Sequence, residues 1–408
     1  MDRFLISTRS DAPPASSSNL AAAALSKADA KKLAERIEEA CEWMEQIYTE
    51  GRYARIIVNR SWSNHNPTIT GEIAKPSAFR WYLRRELCRL ARKGAEIEIR
   101  PGNARVNLNA PDLLDVIDET EFDHTRKKVF LFGPERAELS IQRLEHYTGT
   151  AAEHFQRYIL LTNYQMHMDA FEDMFNNNLQ PAGNVQMPAY HQVTDDNSGV
   201  SIVNIGVGPS NAKNLTDHLA VLRPDAMIMV GHCAGIRNHQ EIGDFVLASG
   251  YMRADHVLDE ALPRSVPLTP SFHLNRYLAK VLDGRSLPYR SGTVYTTADR
   301  NWELVLGRTL KDFRSSRSMA VDMESATVAA NGFRYRIPSA TLLCVSDKPL
   351  HGRPKLPESA QSFYSETKIH HLSVACEALA LARAEYPEGL PNSDIRALDE
   401  PLLGGPDS

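Results

Sequence analysis

Six short apolar runs, separated by stretches with helical periodicity, constrain the fold of this 408-residue chain more than any other feature. Several runs are continuous rather than alternating, which is typical of strands covered by helices on both faces. The runs lie at 157–162, 200–206, 226–231, 244–249, 292–297 and 340–346. Helical patterns lie at about 167–177, 211–222, 322–331 and 365–384. The alternation predicts an α/β domain over residues 151–387, with a central sheet flanked by helices.

A smaller N-terminal α/β domain is predicted over residues 26–150, since 408 residues exceed one ordinary core. Apolar residues at helical spacing from Leu33 to Tyr48 predict a first helix, which Gly51 ends. Further elements are predicted as a helix from Ser77 to Gly94, strands at 55–58, 95–100 and 127–132, and a helix at 135–147. Residues 1–25 are expected to be a disordered tail and residues 388–408 a flexible one.

The composition excludes several classes of function. A net charge of −5 gives no basic bias toward nucleic acid. No apolar run approaches the roughly 18 residues that suggest a membrane span. The five cysteines are scattered without a CxxC pair, so neither a disulfide framework nor a metal site is indicated. The first residues lack the pattern of a secretory signal, and we therefore expect a cytoplasmic protein.

Two strand-to-helix turns are candidate anion sites, because ligands bind outside the carboxyl ends of strands in such sheets. In IGVGPSNAKN at 205–214, Gly206 and Gly208 allow close approach of the backbone, and Ser210 adds a donor. The alternative is a tight Gly-Pro turn without a ligand. In VGHCAGIR at 230–237, His232 and Arg237 are within reach of an anion, although His232 could equally be structural.

A third candidate site combines VDMESA at 321–326 with CVSDKPLHG at 344–352. Glu324, in the first turn of a predicted helix, is suited to accept hydrogen bonds from sugar hydroxyls. Asp347 directly follows an apolar strand, and partial desolvation there favours a general acid. The alternative is that each carboxylate only caps the element that follows it.

These motifs, in this order and spacing, resemble the nucleoside phosphorylase and nucleosidase superfamily, and most closely its AMP nucleosidase family. The segments that carry the closer resemblance are RYILLTNYQMHMDAF, NIGVGPSNAKN, DHLAVLRP, TADRNWEL and LLCVSDKPLHG, within about 155–385. The N-terminal segment KPSAFRWYLRREL resembles the extra domain of that family more loosely. The resemblance implies a nucleoside-phosphorylase-like catalytic domain with a mixed central sheet.

The resemblance also implies roles for individual residues. Met323 would pack on the ribose, Glu324 would hold its 2′- and 3′-hydroxyls, and Asp347 would be the general acid at purine N7. His167 falls where the superfamily carries a residue that contacts phosphate or directs water, and its role stays open.

The base pocket is expected around TTADRNWE, with Arg300, Asn301 and Trp302 near the purine. Trp302 could equally be ordinary core. The candidates for the 5′-phosphate are Arg300, Lys348 and His351.

The implied activity is hydrolysis of AMP to adenine and ribose 5-phosphate, in purine salvage, with no cofactor or metal in the chemistry. Two alternatives stay open: a phosphorolytic purine nucleoside phosphorylase, and a nucleotide-binding regulator without catalysis. The resemblance further implies a homo-oligomer, commonly a hexamer, and an allosteric nucleotide such as MgATP.

Overall fold

A computed structural model describes residues 3–7, 26–60, 67–109, 130–354 and 357–391. The chain forms two compact units that meet in sequence at Gln142 and Arg143. This boundary lies within a helix, Pro134–Thr148, whereas the sequence analysis placed the domain boundary at residue 150.

The first unit contains a four-stranded sheet in the order β1-β4-β2-β3, with every neighbouring pair antiparallel. Its strands are β1 (Phe4–Ile6), β2 (Arg52–Asn59), β3 (Thr68–Ile73) and β4 (Glu96–Arg105). The helices are α1 (Lys27–Thr49) and α2 (Arg80–Arg92), followed by α3 (Pro134–Thr148) at the boundary. The Ser26 hydroxyl accepts the Asp29 N–H and caps α1, at the residue where the first domain was predicted to begin.

Three expectations at the edges of the domains need correction. Phe4–Ile6 belongs to a strand rather than a disordered tail, because Phe4 and Ile6 alternate into the core while β1 pairs with β4. Leu131 and Phe132 are buried but lie outside any strand, so the strand predicted at 127–132 is wrong for its described part. Leu390 is buried in the second unit, within a tail expected to be flexible. Residues 1–2 and 8–25 of the first predicted tail and residues 392–408 of the second lie outside the described residues.

The second unit is built on eight strands in the order β11-β10-β9-β12-β8-β5-β7-β6. They are β5 (Tyr158–Thr162), β6 (Ala189–His191), β7 (Val200–Asn204), β8 (Ala226–Gly235), β9 (Phe245–Ala254), β10 (Tyr289–Thr297), β11 (Ala320–Asp322) and β12 (Ser339–Asp347). All six predicted strands of this domain are present. The two that were missed, β6 and β11, have three residues each and carry little periodicity.

The sheet is mixed and closes on itself at one end. Strands β5, β7, β8 and β12 run parallel to one another, and β9, β10 and β11 run in the opposite direction. Because β11 pairs with both β10 and β8, the strands β8, β12, β9, β10 and β11 form a closed five-stranded barrel. Its interior is filled by small and branched side chains from all five strands: Cys233, Val246, Ala248, Val294, Ala320, Leu343 and Val345.

Helices cover the sheet, as the continuous apolar runs predict. They are α4 (Gln165–Met174), α5 (Pro209–Leu219), α6 (Phe272–Gly284), α7 (Leu306–Ser316), α8 (Ser325–Arg334) and α9 (Pro357–Glu385). All ten residues of β8 are buried, which follows from its central place in the sheet. Over the described residues, none of the helices is long and apolar enough to cross a membrane.

Candidate active site

A cavity of about 520 Å³ lies in the second unit where several strands end. Strand β8 contributes His232 to its wall, and β12 contributes Ser346 and Asp347. The turn after β5 contributes Asn163 and Tyr164. The remaining lining residues named below come from the turn after β7, the loop after β10, and strand β11 with the residues that lead into α8. The sheet topology therefore brings together side chains that are far apart in sequence, as expected at the carboxyl ends of strands.

Glu324 is a buried carboxyl group on this cavity, with 2% of its surface exposed. Its Oε1 accepts the backbone N–H of Gly208 at 2.6 Å, and the Asn163 side chain also hydrogen-bonds to it. Burial and the negative charge of nearby Asp322 raise the pKa of Glu324 to about 8, although these hydrogen bonds oppose the shift. The Glu324 carboxyl group is thus held in a fixed position and keeps a proton near neutral pH.

The cap of helix α8 is made by Asp322 rather than by Glu324. The Asp322 carboxylate accepts the Ser325 N–H at 2.9 Å and the Thr296 hydroxyl at 2.6 Å. Glu324 occupies the N-cap position, one residue before the helix, and its side chain makes no capping hydrogen bond. The alternative that Glu324 only caps its helix is therefore wrong, and its carboxyl group is directed to the cavity wall instead.

Asp347 is also buried, with 6% of its surface exposed, and it lines the same cavity. The pairing of β12 with β8 shifts register between Val345 and Asp347, so Ser346 is the extra residue of a bulge. This shift lets the two consecutive side chains Ser346 and Asp347 both face the cavity. The Ser346 hydroxyl donates to Asp347 Oδ1 at 2.5 Å and fixes the orientation of the carboxyl group.

The loop after β10 supplies the residues predicted for the base pocket. Arg300, Asn301 and Trp302 all line the cavity. Trp302 is at the same time part of the core, since its ring meets Phe313 edge-on with 5.4 Å between centroids. Met323 lines the cavity beside Glu324. Both interpretations of Trp302, core residue and cavity wall, thus describe the structure.

The glycine turn before α5 positions Glu324. Gly206 and Gly208 have φ angles of +69° and +108°, a region that glycine enters without strain. The group that accepts the Gly208 N–H is the Glu324 carboxyl group. Ser210 is exposed, and neither it nor Gly206 is among the described residues that line the cavity. The turn therefore acts on the cavity through Glu324 and through the side chain of Val207.

Three other predicted anion contacts lie away from the cavity wall. The Lys348 ammonium group is buried and donates to the carbonyl oxygens of Asn238 and Gln240. The Arg237 guanidinium donates to the Phe313 carbonyl at 3.4 Å. His351 is exposed on the turn after β12. Arg300 is consequently the single Lys or Arg side chain among the described residues that line the cavity.

The histidines separate into one on the cavity and one behind it. His232 lines the cavity, and the Tyr164 ring meets it edge-on at 4.5 Å. His167 is fully buried, and its Nδ1 lies 2.7 Å from the Thr162 hydroxyl. His167 thus stands one layer behind the wall, next to His232 at 5.4 Å between ring centroids.

Sequence reasoning missed Glu303 and the pair Asn163 and Tyr164. Partial burial and the negative charge of Asp347 raise the pKa of Glu303, so these two carboxyl groups share one electrostatic environment. Asn163 and Tyr164 directly follow the strand predicted at 157–162, and Glu303 is the last residue of the segment TTADRNWE. The strand end and the motif were the signals that could have found them.

Comparison with known proteins agrees with this architecture. Residues 172–380 match the sequence pattern described as the phosphorylase superfamily. A crystal structure of a purine nucleoside phosphorylase from Toxoplasma gondii superposes with a TM-score of 0.52 and 17% identity, over 59% of this chain and 98% of that one, which supports the fold alone. The fold and the cavity thus define a member of the phosphorylase superfamily.

Two further relatives narrow the assignment. The AMP nucleosidase of Escherichia coli K12 is 39% identical over 404 residues, covering 83% of each chain. The crystal structure of AMP nucleosidase from Bacteroides thetaiotaomicron is 31% identical with a TM-score of 0.52, covering 61% of this chain and 98% of that one. The chain belongs to the AMP nucleosidase family, as the sequence motifs indicated.

Proposed function

We propose that this chain hydrolyses the N-glycosidic bond of AMP and releases adenine and ribose 5-phosphate. The observation that carries the proposal is the placement of two buried carboxyl groups, Glu324 and Asp347, on one cavity in a member of this family. A cavity of about 520 Å³ is within the size range of sites that enclose a small ligand.

Asp347 is the proposed general acid at purine N7. As the bond between C1′ and N9 breaks, its electron pair moves into the purine ring, and a proton delivered to N7 neutralises the leaving group. A positioned acid of this kind typically contributes 10²–10⁴-fold in rate. The Ser346 hydroxyl holds the carboxyl group in one orientation, which favours a single proton-transfer geometry.

Glu324 is the proposed ligand of the ribose 2′- and 3′-hydroxyls. The Gly208 N–H and the Asn163 side chain fix its position before substrate arrives. Hydroxyl donors of the sugar favour the ionised carboxylate, so binding is expected to lower the pKa of Glu324 from about 8. The carboxylate then lies beside the ribosyl carbon as it acquires positive charge, and Met323 packs on the sugar.

Water completes the reaction by adding to C1′ and losing a proton, which gives ribose 5-phosphate. Among the described lining residues the acidic side chains are Asp322, Glu324, Asp347 and Glu303, and Arg300 is the one side chain that is always cationic. We therefore assign the 5′-phosphate to Arg300. The contact with a part of the substrate remote from the reacting bond provides binding energy that can lower the barrier.

The test is incubation of the purified protein with AMP, adenosine or IMP, each with and without orthophosphate. Chromatography should show adenine and ribose 5-phosphate from AMP at a rate independent of orthophosphate. Ribose 1,5-bisphosphate formed only with orthophosphate would indicate phosphorolysis. A protein that binds AMP without turnover would instead be a nucleotide-binding regulator.

We further infer a cytoplasmic homo-oligomer. Large apolar side chains are exposed on the second unit, including Leu304 at 83%, Phe272 at 68% and Phe333 at 50%, and such surfaces favour burial against another copy. All five cysteines are free, in keeping with a reducing compartment. We also propose a hexamer and control by MgATP, and the family resemblance supports this proposal. Light scattering with and without MgATP, alongside the rate of AMP cleavage, tests both.

A further inference from the structure

Three buried histidines meet at the cavity wall, with His232 on the wall and the other two behind it. His167 lies in the first turn of α4, His232 on β8 and His371 on α9. The exposed fractions are 0%, 6% and 0%. One ring nitrogen from each lies within 4.8 Å of the others, and this is the one such group of potential metal ligands over the described part of the chain.

Two of these rings are oriented by hydrogen bonds on the side away from the cluster. His371 Nε2 lies 2.8 Å from the Leu342 carbonyl, which can only accept, so Nε2 carries the proton and Nδ1 keeps its lone pair. His167 is held through Nδ1 by the Thr162 hydroxyl at 2.7 Å. The opposite nitrogens, His371 Nδ1 and His167 Nε2, are buried and have no hydrogen-bond partner among the described residues.

Buried polar atoms without a partner cost about 1–3 kcal/mol each, so a pair of them beside a third imidazole points to a missing ligand. A neutral imidazole with an unpaired nitrogen offers nothing to attract an anion. It is the form that binds a divalent metal ion.

The geometry suits zinc. Three imidazoles bound to a tetrahedral Zn²⁺ at 2.0–2.1 Å place their ring centroids about 5.2 Å apart. The three centroid distances here are 5.4 Å for His167–His232, 5.0 Å for His167–His371 and 5.5 Å for His232–His371. Metal-bound histidines also typically donate their second ring nitrogen to a carbonyl or another oxygen, the role that Leu342 O has for His371.

We propose that His167, His232 and His371 bind one divalent metal ion of the zinc class. Bound there, the ion would join α4 and α9 to the central strand β8, and we assign it a structural role next to the cavity. The inference stands apart from the proposed AMP cleavage, because it predicts metal content and stability rather than turnover.

The experiment uses the full chain, stripped with a chelator and then titrated with Zn²⁺ in equilibrium dialysis. We expect about one tightly bound zinc per chain and a higher melting temperature with zinc. His371→Ala and His167→Ala should weaken that binding at least about 100-fold and abolish the zinc-dependent stabilisation. The matched control is His191→Ala, since His191 is equally buried but both its ring nitrogens are paired with the hydroxyls of Thr150 and Ser201. It should bind zinc as the parent chain does.

A measurement on the unaltered protein covers the case in which a variant does not fold. Co²⁺ added to the stripped chain should give the intense visible absorption of tetrahedral nitrogen coordination, and Zn²⁺ should displace it. No stoichiometric zinc with the unaltered chain, octahedral-type cobalt spectra, or undiminished binding by a folded His371→Ala variant would overturn the proposal.

Discussion

Replacement of Glu324 by glutamine tests the site at its most constrained residue. The amide keeps the size of the side chain and an oxygen that can accept the Gly208 N–H. In the parent chain the Gly208 nitrogen lies 2.6 Å from Glu324 Oε1. It cannot become an anion for the ribose hydroxyls. A hydrogen bond to a charged group contributes about 1.5–3 kcal/mol, so the loss should lower kcat/KM for AMP by about 10–100-fold, with both KM and kcat affected.

The same substitution should change stability in a pH-dependent way. Because the pKa of Glu324 is about 8 in the folded chain and near 4.5 when unfolded, the folded state binds one more proton between these values. The free energy of unfolding of the parent chain therefore falls as pH rises through this window, by at most about 1.4 kcal/mol per pH unit from this group. Glutamine, which resembles the protonated form, removes that contribution.

Thermal denaturation of the ligand-free proteins from pH 5 to pH 8 measures the effect. The variant should match the parent chain near pH 5 and become progressively more stable than it toward pH 8. Glu172→Gln, on the exposed face of α4, controls for the general trend with pH. If the difference in melting temperature between variant and parent stayed constant across this range, the claim that Glu324 holds a proton in the folded chain would be refuted.

Three further predictions follow from the same geometry. Gly208→Ala should lower stability by about 1–2 kcal/mol, because φ is +108° there, and should also lower kcat/KM, because the Gly208 N–H holds Glu324. The control Gly94→Ala, at φ +86° in the first unit, should lower stability alone. Equal activities in the two variants would count against this prediction. Arg300→Gln should raise KM for AMP about tenfold or more and leave adenosine cleavage unchanged, and an equal loss for both substrates would remove Arg300 from the phosphate site. A chain that begins at Gly133 should keep measurable AMP cleavage, checked together with its assembly state by light scattering, and complete inactivity of a folded, assembled chain would contradict the placement of all catalytic groups in the second unit.

The sequence predicted what depends on local pattern. Continuous apolar runs located the six main strands of the second unit, and motif order located Glu324, Asp347 and the loop of Arg300. Barrel closure was not predictable, because it depends on the pairing of only two residues of the short strand β11, Ala320 and Val321, with β8. Helices α6 and α7 were also missed, although Ser271 caps α6 as such patterns suggest.

In the candidate site, too, the local sequence predicted some features and only the fold showed the others. Proximity along the chain indicated Trp302 beside Arg300, but only the fold shows that Lys348 donates to backbone carbonyls and that Gly208 binds Glu324. His371 carried no signal in sequence, since the adjacent histidines His370 and His371 in a long helix match no metal-binding spacing. It became informative through its contact with His167 and His232, which come from distant segments.

The most direct test of the central claim is the rate of adenine release from AMP by Asp347→Asn. The amide preserves size and can accept the Ser346 hydroxyl, which donates at 2.5 Å in the parent chain, but it has no acidic proton for N7. We predict a kcat lower by about 10²-fold or more, with nucleotide affinity within about tenfold of the parent chain. A folded Asp347→Asn protein that releases adenine at nearly the parental kcat would contradict the account.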